Sequence, residues 1–571
     1  MLYYRYQTER GHIMANYRDK TAAPWIRLGI IALLSLVIIG TAFYVSLPPI
    51  NLHSGEFWTF FFFAVAVVLV LDIIVNGLSS VLSDVLSSRT AKGKFTSLPK
   101  RLKYTLIVAG AVIAILIILN IFSSQFLRSG AYSSMIELNE VPFTEALAET
   151  EYVSDIALMD SASAQIIGNR TLGSLSDLVS QFIIAENYTQ IALESVPYKV
   201  APLEYASFFK WLSNRSDGIP GYVKVDPVNF DAEFVRLSEG EYIRYSPSSY
   251  FSKDLKRTLR FKYPTEIFGE ANFEVDEQGR PFWICPTMAP KAGWFGGYDV
   301  SGVVILNAVT GDSEKYALGE IPDWVDIVYD GYLICQKYDW YGELSGGYLN
   351  YMFSQTGCTA TTDDFGYKII GNDVYIYTGI TSLSNDAANI GFILVNSRTG
   401  EYQYFPVPGA EEYSAMDAAA GAVQQYGYKA SFPSLINVKG EPTYIMVLKD
   451  ASQIVKMYAM VNVRNYNIVV TAATQDEVMD KYLKAAGLDT VDTPEVNEDE
   501  LKTAELTVKE VHFITVDGDT EVYLKCDDDI ICKLPFSADI LRLESGDKVS
   551  VKYKAEENKN IDGVSFELIN E

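Results

Sequence analysis

The hydrophobic pattern divides the chain in two. Three apolar runs, Leu28 to Leu47, Phe57 to Val75 and Tyr104 to Phe122, are each long enough for a helix to cross a hydrocarbon layer about 30 Å thick. After Phe122 the pattern changes to short apolar runs punctuated by glycine, proline and acidic residues, which predicts strands and turns with helices between them. In this remainder a single run recurs in register. Gly302-Val-Val-Ile-Leu-Asn-Ala-Val-Thr-Gly-Asp is matched by Gly391-Phe-Ile-Leu-Val-Asn-Ser-Arg-Thr-Gly-Glu. Both copies predict a buried strand, a tight turn in which Gly311 and Gly400 take positive φ, and a returning strand.

The repeat extends upstream. Gly279-Arg-Pro-Phe-Trp283 precedes the first copy, and Gly440-Glu-Pro-Thr-Tyr444 opens a further unit in which Asn462 stands where Asn307 and Asn396 stand in the others. Gly371 to Tyr375 is a weaker match before the second copy. Three repeats are therefore expected between residues 264 and 486, each a helix on a short antiparallel meander with one apolar face to cover. Helices are expected at Ile321 (one turn), Ala410 to Gln425 and Gln475 to Ala486. Ahead of the repeats, Ser161 to Ile167, Pro202 to Asn214 and Asp254 to Lys262 read as helices. Tyr188 to Leu193, Tyr198 to Ala201, Tyr222 to Val225 and Glu233 to Leu237 read as strands, following a stretch from Tyr132 to Phe182 that reads as a stalk or entry subdomain.

The fold class is α+β, with six segments: a tail (1–23), a membrane domain of three transmembrane helices (24–128), a leading α+β subdomain (129–263), the repeats (264–486), an acidic linker (487–500) and a terminal piece (501–571). The terminal piece has strands expected at Glu505 to Val516, Glu521 to Cys526, Ile530 to Leu534, Lys548 to Lys554 and Val564 to Ile569. Five strands, with an Asp517-Gly518-Asp519 turn and a helical turn at Ser537 to Leu541, suggest a small OB-like barrel.

Charge sets an orientation. The net charge is −26, yet the first 128 residues hold 12 Lys and Arg against 5 Asp and Glu, leaving 34 against 67 for the remainder. Arg89, Lys92, Lys94, Lys100, Arg101 and Lys103 crowd the loop between the second and third runs, whereas Pro48 to Glu56 has no Lys or Arg. The positive-inside rule then puts the N-terminus in the cytoplasm and the acidic body outside it. Such a body repels nucleic acid, which is not expected as a partner. Asp72, the acid within the second run, lies near its inner end, within reach of the interface.

The helix, the Gly-x-Pro-x-aromatic opening and the Thr-Gly turn resemble the PepSY-type repeat. Together with Leu203-Glu-Tyr-Ala-Ser-Phe-Phe-Lys-Trp-Leu and Glu411-Glu-Tyr-Ser-Ala-Met, the whole from about residue 130 to 486 resembles a family of membrane-anchored proteins of low-GC Gram-positive bacteria. The resemblance implies an extracytoplasmic fold at the cell envelope and favours binding over catalysis. It brings no catalytic residues.

Candidate chemistry is sparse. His12, His53 and His512 are scattered, and no phosphate loop, nucleophile elbow or dinucleotide fingerprint occurs. No cofactor or metal is expected. Cys526 and Cys532 flank Asp527-Asp528-Asp529 on adjacent strands and could pair, though a two-residue turn would offset them. The three acids, which could be read as calcium ligands, are expected to face water as neighbouring acids on a turn do. The candidate ligand surface is aromatic: Trp294, Phe295 and Tyr298 in one loop, and Tyr338, Trp340 and Tyr341 in another, suited to a glycan strand or extended peptide. The expected function is an extracytoplasmic binding module for a protein or cell-wall component. Its alternatives are a structural component of envelope growth or secretion, and a hydrolase using two carboxylates, which a buried acid pair lining a cleft between repeats would favour.

Overall fold

The computed structural model describes residues 24–87, 100–150, 152–383, 385–489, 502–516, 519–535, 540, 542–557 and 560–569. The tail, most of the basic loop and the acidic linker, Asp517-Gly518 and nearly all of the Ser537 to Leu541 turn lie outside the described residues. The chain forms two compact units, Met1–Ala486 and Gly487–Glu571.

Three helices are long and apolar enough to cross a membrane: α1 (Pro24–Ser46), α2 (Gly55–Ser87) and α3 (Lys100–Phe122). Their large side chains, such as Leu33, Leu36, Ile115 and Ile117, are exposed, as expected for surfaces that lipid would cover. A short helix, α4 (Gln125–Ser133), leads into the body.

The body is built from four copies of one unit. Each is a helix followed by a meander whose first strand is broken into two pieces that both pair with the second strand. Unit 1 has α5 (Ser161–Gly173), the broken strand Phe182–Ile184 and Thr189–Leu193, then Val196–Tyr205, Gly221–Asp226 and Asp231–Arg236, with α6 (Phe208–Asn214) inserted. Unit 2 has α7 (Leu255–Lys262), Ile267–Phe268 and Asn272–Val275, Pro281–Ala292, Gly296–Asn307 and Ser313–Tyr316. Unit 3 has α8 (Gly331–Leu344), Thr359–Thr361 and Gly366–Ile370, Asp373–Ser382, Asn385–Asn396 and Tyr402–Phe405. Unit 4 has α9 (Glu412–Ala422), Lys429–Ala430 and Ser434–Val438, Glu441–Lys449, Val455–Asn462 and Val469–Ala472, and α10 (Gln475–Ala485) follows.

One device closes every unit. The last residue of the third strand, Asp226, Asn307, Asn396 or Asn462, turns its side-chain oxygen back onto the next turn: Asp226 accepts from Val228 and Asn229 N–H at 2.9 Å, Asn307 from Val309 and Thr310 at 2.9 Å, Asn396 from Arg398 at 2.9 Å, and Asn462 from Asn465 at 2.8 Å. The following carbonyl, of Pro227, Ala308, Ser397 or Val463, then accepts from the chain just before that unit's own helix, through Leu158, Tyr245, Tyr329 or Ala410 N–H. Asp160, Asp254 and Asp330 cap α5, α7 and α8, the helices of the first three units.

The four sheets stack. Trp283, Cys285, Val304 and Leu306 of unit 2 share a core with Val200, Leu203 and Val223 of unit 1, while the alternate residues Ile284, Val303 and Ile305 share another with Ile376, Ile393 and Val395 of unit 3. Tyr377, Phe392 and Leu394 then face Tyr444, Met446 and Val461 of unit 4. The middle sheets are thus buried on both faces, not one as expected, which is why their strands read as unbroken apolar runs.

The stretch before unit 1 is not a stalk. Leu138–Glu140 pairs in parallel with Tyr402–Phe405 of unit 3, and Asn437 of unit 4 donates to Leu147 O at 2.9 Å and accepts, through its own carbonyl, from Thr150 N–H. The helix expected from Pro202 is strand up to Tyr205. Leu203 and Tyr205 are buried in the sheet, and the helix starts only after Ser207, whose side chain accepts from Lys210 N–H. The turn expected at Ile321 is a single hydrogen-bonded turn, Val325 N–H to Pro322 O at 3.1 Å, and the helix of that unit is α8.

In the second compact unit Lys502–Val516, Asp519–Cys526, Ile531–Pro535, Lys548–Glu557 and Asn560–Leu568 close a barrel in the order first, second, third, fifth, fourth, with the third and fifth parallel. Its interior includes Val508, Val522, Leu524, Val549 and Val551. None of the five cysteines is in a disulfide, Cys526 and Cys532 included, and Asp527 pairs with Lys509 at 3.1 Å.

Gly311 has φ +79°, and a Cβ there would meet the Tyr245 ring at 2.2 Å; Gly440 has φ +84° with nothing within 4 Å. Gly440→Ala should cost only the left-handed backbone penalty, about 1–2 kcal/mol. Gly311→Ala should cost distinctly more in a denaturant titration, because the ring that leads into α7 must move.

Candidate functional site

The break in the first strand has the same cause four times. Opposite it, on the second strand, stand Pro202, Pro286, Gly379 and Val447, whose carbonyls accept from Ala185, Gly269, Thr362 and Ser431 N–H at 2.9 to 3.0 Å. None of the four returns an N–H to the ladder. Pro202 and Pro286 have none, Gly379 N–H goes to Glu412 Oε1 at 2.8 Å, and Val447 N–H goes to Ser431 Oγ at 3.2 Å. The first strand therefore leaves its partner at this point and rejoins a few residues later.

The residues between the pieces line one cleft: 185–188 of unit 1, 269–271 of unit 2, 364–365 of unit 3 and 432–433 of unit 4. Its volume is about 1500 Å³. The starts of α5, α7 and α8 border it, and Val45, Ser46 and Leu47 at the end of α1 and Glu56 at the start of α2 bring it to the apolar helices. The wall carries seven carboxylates against three basic side chains, so it holds a net negative charge.

One of the three basic side chains is Lys199, on the second strand of unit 1. It is 5% exposed, and its ammonium forms no hydrogen bond or ion pair among the described residues. Its ammonium lies over the Tyr367 ring of unit 3, 5.5 Å from the centroid. Burial pulls its pKa down to about 8, against the opposing pull of Asp160. Asp160 is already engaged: Lys449 of unit 4 bonds its carboxylate and also reaches Ser163 Oγ at 3.3 Å. Elsewhere on the wall Glu186, Glu204 and Glu270 gather. Burial, then the charge of Glu186, raises the Glu204 carboxyl, and Asn187 donates to Glu270 at 3.5 Å.

The aromatic residues expected to form a ligand surface lie elsewhere. Tyr338, Trp340 and Tyr341 belong to helix α8 and not to a loop, with Tyr338 only 3% exposed in the core between units 2 and 3. Trp340 packs edge-on against Tyr132 at 5.0 Å. Trp294 and Phe295 form the tip of the long hairpin of unit 2, and Tyr298 follows on its returning strand. That tip meets the ends of the apolar helices. Ser123 Oγ accepts from Trp294 N–H at 2.8 Å and Phe295 N–H at 3.1 Å, Trp294 Nε1 donates to Leu52 O at 3.0 Å, and Tyr298 donates to His53 O. Arg260 makes the second joint, donating to Leu47 O at 3.0 Å and Glu266 O at 2.6 Å, while Ile50 N–H donates to Pro264 O at 2.7 Å. Sequence reading missed the cleft. Its one available signal was a proline inside two apolar strands, Pro202 and Pro286.

A buried carboxylate pair does form between repeats. Glu274 and Asp326 are 0% and 3% exposed; Glu274 accepts from Asp326 and Ile327 N–H at 2.9 and 2.8 Å, and Asp326 from Ala192 N–H at 2.9 Å. Neither lines the cleft. With three of their four oxygens on backbone donors they tie units 1, 2 and 3 together.

No protein-family model matches the chain. No curated protein matches it either. Among solved structures, the chain is similar to a murine DNA-binding protein bound with double-stranded DNA, at 14% identity, over 25% of this chain and 95% of that one, with a TM-score of 0.10. A superposition that poor carries no argument about fold or ligand.

Burial raises both carboxyls of the Glu274–Asp326 pair, and the charge of Glu274 raises Asp326 further. The folded state then holds protons that the unfolded chain has already released, so stability should fall as pH rises from the ordinary carboxylate range to the raised values. Asp326→Asn keeps an acceptor for Ala192 and should flatten that slope, read as urea midpoints across pH.

Proposed function

We propose that this protein is a membrane-anchored binding protein whose body lies outside the cytoplasm and holds its ligand in the cleft shared by the four units. The observation that carries the reading is the cleft itself: four equivalent strand breaks converge on one cavity of about 1500 Å³ that reaches the ends of α1 and α2. A volume above the usual range of small-molecule pockets, about 300–1,000 Å³, suits a polymer segment. The helix and broken meander, four times over, support kinship with PepSY-like modules of the bacterial envelope. The strand order of the terminal barrel supports an OB-like reading. The acidic body keeps nucleic acid out of the proposal.

A role as an assembly component has one observation in its favour. A groove of about 570 Å³ opens between α2 and α3, lined by Trp58, Phe62, Ile113, Ile117 and Tyr298, wide enough for side chains of a partner helix. Crosslinked partners recovered with and without residues 1–128 would separate this role from cleft binding.

Two measurements test the main reading. In intact cells, Glu277→Cys, at an exposed turn, should react with a membrane-impermeant maleimide; protection there, with labelling only after lysis, removes the orientation. A photocrosslinking residue at Tyr367, on the cleft wall, should yield a discrete adduct in cells, while the same group at exposed Tyr426 should not. Equal yields at both positions would discard the cleft as the binding site.

A further inference from the structure

Lys199 is the anomaly of the cleft. A buried ammonium without a partner is destabilising, and proteins tolerate one where something else supplies the counter-charge. Within the protein that role falls to Asp160, but Lys449 and Ser163 already hold its carboxylate. The group of two lysines and one acid keeps one positive charge in excess. Tyr367 offers only the face of its ring. On the same cavity the second charge cluster has the opposite sign: among the described residues, Glu186, Glu204 and Glu270 come with no lysine or arginine hydrogen-bonded to them. A ligand that satisfies both must carry a negative and a positive group.

Four breaks in the β-ladders also line the cavity, and there the backbone has left its strand partner. In units 3 and 4 the carbonyls of Asp364 and Pro433 already accept from the Thr378 and Tyr377 hydroxyls. Residues 186–188 and 270–271, however, make no backbone hydrogen bond among the described residues, and main-chain amides of an extended polymer match those two edges in a way that a compact zwitterion does not. We propose, resting on the cleft reading above, that the ligand is a peptide whose carboxylate is held by Lys199 and whose ammonium groups face Glu186, Glu204 and Glu270. The carboxylate comes from the peptide's C-terminus or from an acidic side chain, and amidation separates these sources.

The test uses the full chain in lipid nanodiscs and two mixtures of random short peptides, one with free C-termini and one amidated, with retained peptides read by mass spectrometry. Wild-type protein should retain peptides that carry a carboxylate and a lysine or the free amine. If the C-terminus is the anion, amidated peptides should be retained about tenfold less, the loss expected of one charge-assisted bond. If a side chain is, the retained amidated peptides should be enriched in Asp and Glu. Lys199→Gln should erase either preference and Lys199→Arg should keep it. Lys199→Met should raise the melting temperature of the empty protein, since it deletes an unmatched charge; a lysine that merely braced the fold would lower it.

Retention by wild type that ignores carboxylates, or a preference that survives Lys199→Gln, overturns the proposal. Retention of neither mixture together with a cleft adduct at Tyr367 overturns the peptide assignment alone. Failure of both measurements removes the cleft reading with it.

Discussion

The body depends on a backbone donor that is missing at four equivalent positions. Pro202 and Pro286 lack the N–H, and Gly379 and Val447 have theirs taken by Glu412 and Ser431. In an ordinary sheet such a vacancy belongs at an edge, because an interior strand would lose a ladder bond for nothing. Here it lies on the second strand and peels the first strand off for a few residues. The stacked sheets then close round a space they would otherwise fill. The same opening could be made with any residue whose N–H is occupied, which is why proline serves in two units and side-chain capture in the others.

The stacking itself rests on a second recurrent contact. The turn acid or amide at the end of each third strand frees the next carbonyl to receive the chain entering that unit's helix. Helix starts are thereby fixed beside the strand breaks, and three of them border the cavity. The joint to the apolar helices is of another kind. Ser123, Leu47, Leu52 and His53 offer mainly backbone and hydroxyl groups to the hairpin tip and to Arg260, so the cleft is set against the helix ends by directional bonds in addition to packing.

Much of this was legible in the residues. The three apolar helices, the hairpins closed by Gly311 and Gly400, the asparagines at 307, 396 and 462 and the five barrel strands follow from periodicity and turn chemistry. The first unit was hidden because Asp226 does the work of asparagine and because Glu194 and Ser195 take positive φ where the others use glycine. Helix α8 was hidden because Tyr338, Trp340 and Tyr341 look like a binding loop when the buried face they serve cannot be seen. Pro202 misled most directly: it fits the first turn of a helix as well as a strand with a vacancy, and only the partner strand decides between them. The cleft could not be read at all, since it is made by residues from four units and Lys199 gives no local sign of lacking a partner.

The parallel pairing of Leu138–Glu140 with Tyr402–Phe405, and the bond from Asn437 to Leu147 across 290 positions, set a schedule for biosynthesis. The segment that leaves the last apolar helix waits, unpaired, until almost the whole body has been translated. Units 1 and 2 can collapse onto their shared core early, but the outer edge of unit 3 stays open until that first-made strand docks. Closure is therefore a late, long-range step, slow by virtue of loop entropy. Until it occurs, an exposed strand edge is presented to neighbouring nascent chains.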